Sequence, residues 1–196
     1  MKLNHLKPDV VTYSCLIYGL SNQREMKKAI ELFNEMKLNH IKPNIVTYNC
    51  LIDGFLKQGE MKNAMELFNE MKHNGIEADS TTYTILFSGC AETSNLTLGR
   101  TLHEQMKNSK IALSTKTTSS LINMYSKCGN LEEAKSIFEN CRKEKNHLNL
   151  ITWTSMINGY AIHGFGKEAL ELFEQMQNEG FEPDTTTFVC ILTACS

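Results

Sequence analysis

The chain repeats itself every 35 residues without a gap. Counted from Val10, new units begin at Ile45, Ser80, Thr115, Leu150 and Thr185. A fixed period of about 20–50 residues marks a repeat array, in which one unit cannot bury its apolar face alone and stacks on its neighbours. The stretch Ile45 to Asp79 shows the unit best. Tyr48, Leu51, Ile52 and Phe55 fall at i, i+3, i+4 and i+7. Met61, Ala64, Met65, Phe68 and Met71 repeat that spacing further on. Two amphipathic helices follow from this pattern. Gly59 and Gly75 stand where each helix must stop, and glycine readily takes the left-handed conformation that ends one. The predicted unit is helix, tight turn, helix, short loop.

Each place in the period has its own chemistry. The third is threonine in all units: Thr12, Thr47, Thr82, Thr117, Thr152 and Thr187. A threonine there is expected to cap the first helix. The fourth is aromatic except at Thr118: Tyr13, Tyr48, Tyr83, Trp153 and Phe188. In the second helix one column is small (Ala29, Ala64, Gly99, Ala134, Ala169) and another is large (Phe33, Phe68, His103, Phe138, Phe173). Small places admit close helix approach and large ones fill the space between hairpins, so these columns are read as core. His103 is then an interior or boundary residue with its polar atoms satisfied. The expected boundaries are one array over 1–196. Residues 1–9 end a preceding repeat, whole repeats cover 10–44, 45–79, 80–114, 115–149 and 150–184, and 185–196 form the first helix of a sixth.

Composition narrows the function. The net charge is −2, which supplies no general attraction for nucleic acid, so any such binding rests on a local strip of side chains. The seven cysteines show no C-x-x-C pair, and the six histidines show no metal-ligand spacing. No metal and no cofactor are expected. Cys15, Cys50 and Cys190 share one column and are expected to be small buried residues in a reducing compartment. No run of about 18 apolar residues predicts a membrane span. A zinc-deaminase signature, a glycine-rich phosphate loop and a nucleophile triad are all missing from the sequence, so no catalytic residue is assigned and no small-molecule substrate is expected.

The residues VTYNCLIDGFLKQG, NAMELFNEM and the closing Asp79 resemble the pentatricopeptide repeat family, and the likeness runs along essentially the whole chain. The units at Ser80 and Thr115 look like the family's variant motifs of mixed-motif plant organellar members. The resemblance implies an all-α fold, a right-handed α-solenoid superhelix of helix-turn-helix repeats. It also implies single-stranded RNA as partner, one base per repeat, with other RNA-processing proteins alongside, in a mitochondrion or chloroplast. Carried over from the family, the base-reading pairs are Ser14 with Asn44, Asn49 with Asp79, Thr84 with Ser114, Ser119 with Asn149, and Thr154 with Asp184. Bases would be sandwiched by Val11, Val46, Thr81, Lys116 and Ile151, and phosphates met by Lys57 and Lys127. By the family's code the pairs read A, U, unassigned, A, G from the 5′ end. A helical-repeat scaffold that holds a protein partner is the alternative reading.

Overall fold

A computed structural model describes residues 8–144 and 148–195. Among the described residues all regular structure is helical. The contacts divide the chain into two compact units, Met1–Ile85 and Leu86–Ser196. The first holds α1 (Val10–Asn22), α2 (Met26–Leu38), α3 (Ile45–Lys57), α4 (Met61–His73) and the first turn and a half of α5 (Ser80–Glu92). The second holds the rest of α5, then α6 (Leu96–Asn108), α7 (Thr115–Lys127), α8 (Leu131–Glu144), α9 (Leu150–Ile162), α10 (Gly166–Asn178) and α11 (Thr185–Ala194). The odd-numbered helices begin at the six residues from which the period was counted. Of the expected preceding repeat, residues 1–7 lie outside the described residues, as does residue 196 of the expected sixth.

In the first unit α1 packs against α2 and α3, and α3 against α4. Tyr48, Leu51 and Ile52 are fully buried on α3, and Ala64, Phe68 and Met71 on α4. Each fully buried large apolar side chain contributes about 1.5–3 kcal/mol. Phe33 meets Tyr48 edge to face at 5.4 Å between ring centroids, a favoured geometry for aromatic pairs. The Tyr48 hydroxyl donates to Glu70 Oε1 (2.9 Å) and accepts from Asn74 Nδ2 (2.8 Å). Burial pushes this hydroxyl up to about 12. Tyr13 repeats the arrangement with Glu35 and Asn39.

In the second unit α9 packs against α7, α10 and α11. Trp153, in the place of Tyr48, is fully buried beside Phe138 at 4.9 Å. Arg142 lies over its ring and binds Gln175 and Glu179 (both 2.8 Å). These two occupy the places of Glu70 and Asn74, so a cation over the indole replaces the tyrosine hydroxyl as their link. His103 is buried in its core column, 2.9 Å from the Tyr125 hydroxyl and edge-on to Phe87. Burial, chiefly, lowers it to about 4, so it sits neutral in the core.

The helix starts differ from expectation. The cap is the last residue of the preceding unit, not the threonine. Asp9, Asn44, Ser114, Asn149 and Asp184 are N-caps, each accepting from the backbone N–H three residues on, and Asp79 accepts likewise from Thr82. The threonine is three residues past the cap. Thr47, Thr82, Thr117, Thr152 and Thr187 are fully buried there. Asn44 with Thr47 and Asp184 with Thr187 form reciprocal capping boxes.

The turns follow the register more than the residue. Gly59 and Gly75 have positive φ, as expected. Arg24 and Ser94 take the same conformation in the place of Gly59, and His40 and Lys110 in the place of Gly75. A side chain at such a φ is strained. The packed hairpins fix the turn, and these residues conform to it.

Candidate nucleic-acid interface

The residue closing one unit and the fifth residue of that same unit meet at one buried threonine. In the first unit, Thr82 Oγ1 lies 2.9 Å from Asn49 Oδ1 and 3.0 Å from Asp79 Oδ1. Thr47 Oγ1 lies 2.8 Å from Ser14 Oγ and 3.1 Å from Asn44 Oδ1. In the second unit, Thr152 joins Ser119 (3.2 Å) to Asn149 (2.9 Å), and Thr187 joins Thr154 (2.9 Å) to Asp184 (2.8 Å). Four of the five pairs carried over from the family are therefore neighbours in space. Of the fifth, Thr84 donates to the Ser80 carbonyl and Ser114 caps α7.

Capping fixes what the closing residue offers outward. The backbone N–H of Thr47 can only donate, so Asn44 turns its oxygen to it and its NH₂ away. An aspartate in this place turns one oxygen to the N–H and keeps the other as an acceptor. Asp184 is held below the usual carboxylate range by the Thr187 backbone N–H and then its hydroxyl, so it remains an ionised acceptor.

Around the pairs the surface is apolar. A cavity of about 560 Å³ in the first unit is lined by Val11, Val46 and Thr81 together with Ser14, Asn44, Asn49 and Asp79. One of about 460 Å³ in the second is lined by Ile151, Thr154 and Asp184. Val11, Val46 and Ile151 are more than half exposed, which no core role explains. Thr81 and Lys116 are exposed too. Sequence reading missed Thr186, which stands in the second cavity in the same place as Val11 and Val46; the 35-residue step alone pointed to it.

Two other expectations are changed or qualified. Cys15 and Cys50 are not core residues. Cys15 is exposed, Cys50 half-buried, and both line the first cavity, while Cys190 is buried. Cys15 and Cys50 directly follow Ser14 and Asn49 on their helices and share the cavity with them. Lys57 and Lys127 are paired. Lys57 Nζ lies 2.6 Å from Asp53 and 3.2 Å from Asn22, and Lys127 Nζ lies 2.6 Å from Glu92. Each lysine reaches the same place one unit earlier, so the two ammonium groups expected to meet phosphate are both engaged by protein side chains. Among the described residues, no group of three or more His, Cys, Asp or Glu could hold a metal ion. Among the same residues, no helix is long and apolar enough to cross a membrane.

Comparison with known proteins supports the family and the fold. The model of the PPR repeat family matches residues 8–55, 43–92, 113–162 and 148–196, and that of the PPR repeat matches 81–111. No curated protein matches significantly. Among solved structures, the pentatricopeptide repeat protein PPR10 in complex with an 18-nt psaJ RNA element is similar at TM-score 0.82 and 22% identity, over 97% of this chain and 28% of that one. PPR10 from maize is similar at TM-score 0.65 and 24% identity, over 96% and 27%. The PPR domain of Arabidopsis thaliana protein-only RNase P 1, in complex with tRNA, is similar at TM-score 0.67 and 11% identity, over 91% and 94%. The chain thus spans less than a third of the PPR10 chains, and at these identities the likeness carries the fold alone.

Proposed function

Since the chain belongs to the pentatricopeptide repeat family, we propose that it binds single-stranded RNA by sequence, one base per repeat, and performs no catalysis itself. The observation that carries this is the joining of four reading pairs, each through one buried threonine, beside exposed Val11, Val46 and Ile151. The RNA held by PPR10 and the tRNA held by the RNase P domain lend support. The groove would sandwich bases between Val11, Val46, Thr81, Lys116 and Ile151, while Lys57 and Lys127 exchange their carboxylates for phosphate. The pairs would read 5′-A-U-N-A-G-3′. An acceptor-only aspartate suits the N–H edge of uracil or guanine, and the outward NH₂ of asparagine suits the bare ring nitrogen of adenine. The setting would be RNA processing, editing or stability in a mitochondrion or chloroplast, within one array of the repeats listed by their 35-residue step.

Stacking contributes about 1–3 kcal/mol per base, so five repeats give modest affinity. The test is titration of the protein with an RNA containing AUNAG and with one in which U and G are exchanged. Tighter binding of the first is expected. Equal affinities would defeat the base assignment, and no binding to either would defeat the function. A second reading, a scaffold for a protein partner, draws on the paired lysines and the apolar groove. It requires that changing Asn49, Asp79, Thr154 and Asp184 together to Ala leaves partner binding intact.

A further inference from the structure

The buried threonine between the members of a reading pair carries one proton, yet it has two polar side-chain neighbours, and it also accepts from the closing residue's backbone N–H (3.3 Å from Asp79 N to Thr82 Oγ1). Thr82 is fully buried, and its Oγ1 lies 3.0 Å from Asp79 Oδ1 and 2.9 Å from Asn49 Oδ1, two acceptors for a single proton. A hydroxyl donates once and accepts up to twice. The ionised Asp79 makes the stronger acceptor, so the proton goes there. Asn49 can then complete the contact only by donating. The two ends of an amide have the same shape, and the hydrogen-bond network decides which faces which. The Asn49 amide is therefore turned end for end from the orientation with Oδ1 on Thr82: its NH₂ faces Thr82 and its carbonyl oxygen the groove.

The same logic holds where the reading residue is a hydroxyl. Thr47 passes its proton to Asn44 and receives one from Ser14, and Thr187 passes its proton to Asp184 and receives one from Thr154. Ser119 differs in detail: its hydroxyl also lies 3.0 Å from the Thr115 carbonyl. Its proton is again directed inward, so the groove again sees lone pairs.

We infer that Thr47, Thr82 and Thr187 are positioning residues that fix the hydrogen-bond polarity of the reading pairs. This inference rests on the RNA-binding reading above and deepens it. The fifth residue is made an acceptor towards the base in every described pair with an inward contact, whatever its side chain. The closing residue then decides the rest: asparagine adds a donor and aspartate a second acceptor. Asn49 with Asp79 presents acceptors only. That suits the ring N–H of uracil and opposes cytosine, whose corresponding ring nitrogen carries no proton. Size separates uracil from guanine, and polarity separates uracil from cytosine.

The experiment uses two RNAs that differ only by U or C opposite the Asn49 repeat, titrated against the whole chain. Wild type is expected to prefer U by about tenfold, a bidentate-sized discrimination, and Thr82→Val to bring the two within about threefold. Thr82→Ser, which keeps the hydroxyl, should retain the preference. A valine variant that folds and keeps the wild-type ratio would overturn the inference. Failure of folded wild type to bind either RNA would overturn the RNA reading instead. The relay is then judged by NMR of the RNA-free protein. One slowly exchanging Asn49 side-chain amide proton is expected, and it should become fast in Thr82→Val. Fast exchange of both protons in wild type would overturn the inference on its own.

Discussion

The repeat at Ile45 and the two that follow it solve the same packing problem with different residues. Tyr48 fills its place with a buried ring and ties Glu70 and Asn74 through its hydroxyl. The equivalent place in the Thr115 repeat holds only Thr118, also fully buried. Bulk returns elsewhere. Met124 stands where the Ile45 repeat has Gly54, and Gly99 stands where other repeats have alanine. A Cβ on Gly99 would meet Met124 Sδ at 2.4 Å. The place facing this methionine is reduced from alanine to glycine to admit it. The network of closing residue, threonine and helix start stays nearly constant through these exchanges, whereas the aromatic and groove places vary. The period is thus held by backbone capping, and each core place is free to change if a neighbour compensates.

The largest effect should come from the place where the repeats differ most. Tyr48→Ala removes a buried ring and is expected to cost about 3–5 kcal/mol in urea unfolding, while Thr118→Ala should cost about 1 kcal/mol. Equal losses would break the comparison. Next is His103, the one non-aromatic-hydrocarbon member of the phenylalanine column. Its folded pKa of about 4 lies below the ordinary 6.5, so the unfolded chain binds more protons between these values. Stability should therefore fall as pH drops from about 6.5 to about 4, by about 2–3 kcal/mol, and His103→Phe should flatten that slope. Gly99→Ala should cost about 1–2 kcal/mol by overpacking against Met124. Adding Met124→Gly should recover part of that loss, and strict additivity would show that the two do not compensate. The smallest effect is at the turns: Lys110→Gly should stabilise by about 0.5–1 kcal/mol, because glycine takes the left-handed φ without strain. Gly75→Ala should do the reverse.

The helices and their register were legible because the apolar places recur with the 3.6-residue period inside a 35-residue one. Gly59 and Gly75 announced two left-handed turns, but Arg24, His40, Ser94 and Lys110 carry no such local signal. Their conformation is imposed by the hairpins around them. The threonine column was visible, yet its role was misplaced by three residues. A Thr near a helix start fits either the cap or the third position, and only the backbone shows that Asp9, Asn44 and Asp184 take the cap. The Cys15–Cys50 column looked apolar and therefore buried; its place beside Ser14 and Asn49 turns it towards the cavity. The tyrosine clamp went unseen although Glu35 with Glu70 and Asn39 with Asn74 recur at the period. Polar columns on an exposed helix face give no sign of what they reach. The pairs proposed to read bases came from the family likeness, and the geometry adds the threonine shared by four of them.

The central claim is that Asn49 and Asp79 read a base. It is tested most directly by exchanging protein and RNA together. Wild type and Asn49→Thr are each titrated with two RNAs that differ only by U or G opposite this repeat. The account expects wild type to favour U and Asn49→Thr to favour G, each by about tenfold, the discrimination of one good edge contact. Parallel preferences in the two proteins, or no RNA binding by either, would contradict it.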